Sequence, residues 1–223
     1  KYIMKTKNKA SYKNKTHKLN PMHKLNKKRF YEDDPKITTI EGHKFLFLPV
    51  TGDIFNIKCR FYGGFYMENK ENLGISHLLE HLILDSWYKC NGNCTRYLER
   101  YGLQTNAFTK MMSTGYWAKS LKNNWSIILK YMLQIIFNPE ITEKSIEIEK
   151  HAIENELSNK LNDPNYKLRN KIFEKIFTIY SLKNYVNYEQ QLKVLKTITL
   201  SQLNKFSKKL IQSNKFLFII SGA

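Results

Sequence analysis

The stretch GISHLLEHLILDSW, residues 74–87, places two histidines and a glutamate among leucines and isoleucines. On a helix that turns by about 100° per residue, His77 and His81 lie on successive turns of one face, with Glu80 close beside them. The helical pattern runs from Glu71 to about Trp87, and the surrounding leucines predict that this helix is buried nearly all round. Because buried polar groups need partners, the stretch predicts a site in which these three side chains share a polar partner.

The spacing of the two histidines suits a metal ion. Two imidazoles at positions i and i+4 can bind one Zn²⁺ from the same helix face, and a neighbouring carboxylate can take a proton from water. The order here is H-x-x-E-H, the inverse of the H-E-x-x-H of many zinc proteases. The five-residue pattern also arises by chance, and an isolated buried histidine is more often a core residue than a ligand. A catalytic zinc ion would need a third protein ligand from elsewhere in the chain.

A long, glutamate-rich helix is predicted near the middle of the chain and offers that ligand. Glu149 and Glu156 are seven residues apart, so they lie within about 20° of each other on a helix, whereas Glu147 and Glu154 point to the opposite face. His151 falls about 140° from Glu156 and is predicted to lie on the surface. For Glu149, the alternative to a place in the metal site is a structural role as an ion-paired or helix-capping glutamate.

Period-two runs rich in β-branched and aromatic residues predict several strands. They are KITTI, then HKFLFLPV and DIFNIKCRFYGG as a hairpin-like pair, then LQTNAFTK and MSTGYWAKSL joined by a short turn, and a buried final run, KFLFIISGA. Helices fill the intervals, and Ser201 is a candidate cap for the last of them. The order predicts an α+β fold, a mostly antiparallel sheet with helices packed on one face. Residues 1–35 are predicted to form a basic, flexible arm, and residues 36–223 a single domain.

The net charge of +18 is concentrated at the start, because residues 1–30 carry 11 basic residues and no acid, which leaves +7 for the rest. The chain lacks the sequence signatures of the common nucleic-acid-binding modules, so a nucleic-acid partner is not expected, and binding through the basic arm is kept as an alternative. No apolar run approaches the length of a membrane span, and no secretory signal is recognised.

Three cysteines, an odd number, argue against a disulfide framework and for an intracellular, reducing compartment or a mitochondrion-like organelle. Cys90 and Cys94 are interpreted as two loop thiols, because no second cysteine or histidine pair lies near them to complete a metal site.

Together these residues resemble the N-terminal domain of the pitrilysin, insulin-degrading enzyme and mitochondrial processing peptidase family, a group of inverzincin metallopeptidases. The stretch GGFYMENKENLGISHLLEHLI resembles the family's strand, acidic loop and H-x-x-E-H helix. YGLQTNAFTKMMSTGYW resembles its G-x-x-x-N-A-x-T segment and the aromatic-bearing strand that follows. EIEKHAIENEL resembles its E-x(6)-E helix, with Glu156 placed 75 residues after His81. Three motifs in the family order are far more specific than one.

The resemblance implies a zinc endopeptidase domain with one Zn²⁺ per chain, held by His77, His81 and Glu156. It further implies that Glu80 is the general base and that Glu149 orients the site. The resemblance also implies that Asn106 and Ala107 lie on an edge strand that holds an extended peptide substrate by main-chain pairing.

The chain departs from the family after the histidine helix, where LDSWYKCNGNC replaces the family's aromatic, glycine and threonine. Family members generally build a closed chamber from several homologous domains, and a later half supplies an arginine and a tyrosine for the substrate. No stretch here matches that half, so a second homologous domain or subunit is expected to complete the chamber. A non-catalytic structural or substrate-holding subunit of the same family is the alternative function.

Overall fold

The computed structural model describes residues 34–87, 94–176, 187–212 and 216–222. Six strands form one sheet: β1 (Lys36–Ile40), β2 (His43–Leu48), β3 (Ile54–Tyr62), β4 (Gln104–Thr109), β5 (Ser113–Leu121) and β6 (Phe216–Ser221). Their spatial order is β1-β2-β6-β3-β5-β4. The β2–β6 pair is parallel and the other four pairs are antiparallel, which confirms the prediction of a mostly antiparallel sheet.

Seven helices are found among the described residues. They are α1 (Ile75–Leu84), α2 (Cys94–Glu99), α3 (Trp125–Phe137), α4 (Glu143–Leu161), α5 (Pro164–Ile176), α6 (Tyr188–Leu195) and α7 (Leu200–Gln212). Strand β3 shows where they pack, because its alternate residues Phe55, Ile57, Cys59 and Phe61 are buried while the intervening ones are not. Helix α3 packs against β3 and β5, and α1 packs against β5 and β4. The α+β prediction with helices on one face is confirmed.

The predicted hairpin-like pairing of the second and third strands is wrong. Strand β6 lies between β2 and β3 and pairs with both, while the hairpin partner of β2 is β1. The physical reason is burial: β6 is short and apolar, and Phe218 at its centre is fully buried. A central position in the sheet therefore goes to a strand that lies far away in sequence.

Two predicted helix starts need correction. The helix expected from residue 71 begins at Ile75, because Gly74 has a left-handed φ of 91° that ends the preceding turn. The last helix is capped by Thr199 and not by Ser201. The Thr199 hydroxyl accepts from the Gln202 N–H at 3.3 Å, and the Gln202 side chain accepts from the Thr199 N–H at 2.8 Å, which is the reciprocal arrangement of a capping box.

Other sequence predictions concern the ends and the cysteines. The expected arm lies outside the described residues except for its last two, and β1 begins directly after it at Lys36. Cys59 is free and buried, whereas Cys94 is disulfide-bonded, so the interpretation of Cys94 as a loop thiol is wrong; Cys90 lies outside the described residues. None of the helices in the described ranges is long and apolar enough to cross a membrane.

Candidate metal and catalytic site

The histidine helix α1 is held at its N-terminus by Glu68, a residue that precedes it in the acidic loop. Glu68 is only 5% exposed, and its carboxylate oxygens accept from the Gly74 N–H at 2.7 Å and the Ser76 N–H at 2.9 Å. Burial raises the pKa of Glu68 to about 7, although the two backbone hydrogen bonds act in the opposite direction. The Gly74 and Ser76 amides at the start of α1 are thereby satisfied, and the helix is fixed relative to the loop.

Replacing Glu68 with alanine is therefore expected to destabilise the protein. Two buried N–H groups would lose their acceptors, at a cost on the order of 2–4 kcal/mol in the free energy of unfolding. Urea denaturation followed by circular dichroism measures this cost. Glu71→Ala, which removes an exposed carboxylate from the same loop, is the matched control. Equal stability of the two variants would contradict the capping role of Glu68.

His77, His81 and Glu156 meet between α1 and α4. Their candidate ligand atoms all lie within 4.8 Å of one another. The Nε2 atoms of His77 and His81 are 3.5 and 3.7 Å from the same carboxylate oxygen, Glu156 Oε2. The tertiary structure thus brings together the two histidines from one motif and the glutamate from another.

Glu149 contacts the far side of the second histidine. Its Oε2 lies 2.9 Å from His81 Nδ1, so the other ring nitrogen, Nε2, is the one directed at Glu156. As the helical spacing predicts, Glu149 is largely buried at 14% side-chain exposure, while Glu147 is exposed at 65%. His151 is 75% exposed and lies on the surface, as predicted.

The electrostatics of the cluster differ between its members. Burial, followed by the charge of His81, lowers the pKa of His77 to about 4, which leaves this imidazole neutral near pH 7. Burial would also lower the pKa of His81, but its contacts with Glu149 and Glu156 and the charge of Glu80 outweigh burial and raise that pKa to about 9. Pairing with His81 is the main reason that the pKa of Glu156 falls to about 2.

Glu80 faces a pocket of about 210 Å³ beside this cluster. The pocket is bounded by α1, α4, α6 and the end of β4, and its polar lining includes His77, Glu80, Thr109, Glu156, Lys160, Tyr188 and Gln191. Burial raises the pKa of Glu80, opposed by a side-chain hydrogen bond with Thr109. The Glu80 carboxyl group opens onto the same space as His77 and Glu156.

Asn106 and Ala107 lie on β4, the last strand in the sheet order. The Lys110 N–H donates to the Ser113 carbonyl at 2.8 Å, and hydrogen-bonded pairs alternate along an antiparallel ladder. Asn106 therefore pairs with β5, whereas Ala107 presents its N–H to the free edge, the side of β4 that pairs with no other described strand. The Asn106 side chain accepts from this N–H at 2.7 Å.

Sequence reasoning did not single out four side chains of the site: Glu68, Lys160, Tyr188 and Gln191. The i,i+4 spacing of Glu156 and Lys160 is a signal that could have revealed the lysine, because such pairs meet on a helix surface. Tyr188 and Gln191 come from α6, far from either motif, and only folding brings them to the pocket.

The donor set fits a zinc ion. Two imidazole nitrogens and one carboxylate oxygen are the ligand types of catalytic zinc, which takes three protein ligands and leaves one position open. The pocket beside the cluster provides space on that open side. The contact between Glu149 and His81 is the kind of carboxylate–histidine pair that fixes a ligating imidazole.

An α+β domain that sets an H-x-x-E-H helix against an E-x(6)-E helix has the architecture of an inverzincin metallopeptidase domain. The chain belongs to the insulinase family, peptidase family M16, whose family model matches residues 54–189.

Individual relatives agree with this assignment. The chain is 29% identical over 104 residues to the uncharacterized zinc protease YmfH of Bacillus subtilis (strain 168), a match that covers 47% of this chain and 23% of that protein. A protease from Helicobacter pylori has a similar fold, with a TM-score of 0.76 at 18% identity over 85% of this chain and 47% of that one. The periplasmic protease PqqL from Escherichia coli gives a TM-score of 0.71 at 21% identity, over 86% of this chain and 22% of that one. The chain thus spans less than half the length of each.

Proposed function

We propose that this chain is the zinc-binding domain of an endopeptidase that hydrolyses peptide bonds with an activated water molecule. The observation that carries the proposal is the convergence of His77, His81 and Glu156 to within 4.8 Å of one another, with Glu80 on the adjoining pocket wall. Family membership supports the class of reaction. His77, His81 and Glu156 are the proposed zinc ligands.

Glu80 and Glu149 have different roles in the proposed hydrolysis. A bound zinc ion would lower the pKa of a water molecule and polarise the peptide carbonyl. Glu80 takes a proton from the attacking water, whose oxygen bonds to the carbonyl carbon, and returns the proton to the amine that leaves as the C–N bond breaks. Glu149 accepts the Nδ1 proton of His81, so that Nε2 is the nitrogen that would release its proton and ligate the metal.

The free edge of β4 supplies a place for the substrate backbone. An extended peptide can add to an exposed strand by main-chain hydrogen bonds, and Thr105, Ala107 and Thr109 direct their main-chain groups to this edge by the alternation described above. Thr109 also lines the pocket with Glu80. A peptide paired with β4 would therefore pass directly beside the proposed zinc site, after displacing Asn106 from the Ala107 N–H.

Ala107→Pro tests this docking mode. Proline is tolerated on edge strands because it loses no hydrogen bond to the neighbouring strand, but here it would remove the N–H that a substrate carbonyl would accept from. We expect KM to rise about 10-fold with little change in zinc content. Steady-state kinetics on a quenched fluorescent peptide give KM, and Ala107→Ser, which keeps the N–H, is the control. An unchanged KM in a folded Ala107→Pro protein would argue against pairing at this edge.

A second homologous domain or subunit is proposed to complete the site. The chain covers less than half of each relative's length. In addition, no other described strand pairs with the outer edge of β4, the strand that ends beside the pocket. Purifying the native assembly and measuring its mass, its chains, its zinc and its peptidase activity tests the proposal as a whole. Zinc at about one per chain with peptide cleavage supports it, whereas an assembly without zinc would support the non-catalytic, substrate-holding alternative.

A further inference from the structure

Lys160 lines the same pocket as His77 and Glu156, two of the three proposed zinc ligands. It lies one helical turn after Glu156 on α4 and donates to Glu156 Oε1. The other oxygen of that carboxylate, Oε2, is the one that faces both histidines. Of the described side chains that line the pocket, Lys160 alone carries a permanent positive charge.

The aromatic packing around Lys160 distinguishes it from an ordinary surface lysine. Its ammonium lies 5.7 Å from the centre of the Tyr188 ring, and Tyr188 is only 9% exposed. Tyr188 is itself fixed, because it stacks on Tyr166 with ring centres 4.8 Å apart and its hydroxyl accepts from Arg169 Nη2 at 3.1 Å. The ammonium is therefore held in place while its side chain stays 44% exposed.

The geometry of β4 indicates which part of a substrate reaches this ammonium. Neighbouring strands place paired side chains on the same face of a sheet, so a peptide added to the free edge would send alternate side chains to the face of Thr109. That face opens into the pocket lined by Glu80, Glu156 and Lys160. A side chain next to the bond being cleaved would enter it.

We propose that Lys160 binds substrate and selects peptides with an acidic side chain beside the scissile bond. An ammonium has three N–H donors, and the structure gives that of Lys160 one carboxylate acceptor among the described residues, Glu156. A substrate carboxylate can take another donor in a charge-assisted hydrogen bond. A substrate lysine or arginine would instead be repelled. This inference rests on the proposed peptidase function and names its substrate class.

The test is a cleavage profile of the native assembly on a mixed peptide library, read by mass spectrometry of the products. We expect glutamate and aspartate to be enriched at one position flanking the cleaved bond, with kcat/KM on the order of 10-fold higher for a Glu peptide than for its Gln counterpart. Lys160→Met should remove the preference, and Lys160→Glu should reverse it toward basic residues. Lys144→Met, an exposed lysine on the same helix, is the control and should leave the profile unchanged.

A binding measurement separates failure of this inference from failure of the proposed function. In the Glu80→Gln background, fluorescence anisotropy compares the affinities of the Glu and Gln peptides without any need for cleavage, and zinc content is measured for every variant. If the unmodified assembly binds zinc and cleaves no peptide, the proposed function fails, while a preference that depends on Lys160 can still be read from binding. Equal affinities, or an acidic preference that persists in Lys160→Met, would overturn the inference and leave Lys160 as a helix-stabilising partner of Glu156.

Discussion

Glu80→Gln is expected to lower kcat/KM for peptide hydrolysis by about 10²- to 10⁴-fold, the range that a positioned general base contributes. Glutamine has nearly the shape of glutamate and can still hydrogen-bond to Thr109, but its amide cannot accept the proton of the attacking water. Zinc content should stay at that of the unmodified protein, because Glu80 is not among the three side chains that converge as candidate ligands. Activity is measured by peptide cleavage, and zinc by atomic absorption on the same preparation.

Glu71→Gln provides the comparison for this variant. It makes the same chemical change at an exposed glutamate just before the helix and should leave both activity and zinc as they are. A Glu80→Gln protein that cleaves peptides at full rate would contradict the assignment of Glu80 as the general base. Loss of zinc in this variant would show instead that Glu80 belongs to the metal-binding set.

The second large effect is expected from His81→Ala. His81 contacts both Glu149 and Glu156, so its removal takes away a proposed ligand and the hydrogen-bond partner of Glu149. A zinc site with two remaining protein ligands is incomplete, and we expect bound zinc to fall from about one per chain to nearly none after dialysis, with loss of peptidase activity. Inductively coupled plasma mass spectrometry gives the stoichiometry.

His151→Ala is the matched control, because His151 is a 75% exposed histidine on α4 and should not affect zinc. If His81→Ala retains zinc at the level of the unmodified protein, the proposed ligand set is wrong. The two large effects are also separable from each other: Glu80→Gln should abolish chemistry with the metal in place, whereas His81→Ala should remove the metal itself. A non-catalytic family member would show neither the dependence of peptidase activity on Glu80 nor the dependence of bound zinc on His81.

Much of this outcome could be predicted from the sequence because the signals are local. The spacing of His77, Glu80 and His81 on one helix, and of Glu149 and Glu156 on another, follows from the period of the α-helix. The same period predicted that Glu147 and His151 would be exposed. Alternation along the sequence predicted the strands for the same reason. These predictions depend on contacts between residues close in sequence.

Other features could not be read in this way, because they join residues distant in sequence. The position of β6 between β2 and β3 depends on which strand gains most from burial, and local turn rules do not address that competition. The cap that Glu68 gives to α1, and the approach of Tyr188 to Lys160, likewise depend on how loops and helices pack. The start of α1 was misplaced because Gly74 and Glu68 together, and not the hydrophobic period, decide where that helix begins.

The sequence by itself determined the chemical character of the site: a histidine pair and a glutamate on one buried helix, two inward carboxylates on another, and an α+β framework to hold them. It could do so because helix and strand periods are fixed by backbone geometry. Only the tertiary structure decided that Glu156 directs one oxygen at both histidines and the other at Lys160, and that a tyrosine from α6 holds this lysine at the pocket wall. Those relations depend on packing between elements distant in sequence, and packing is settled by the whole chain at once.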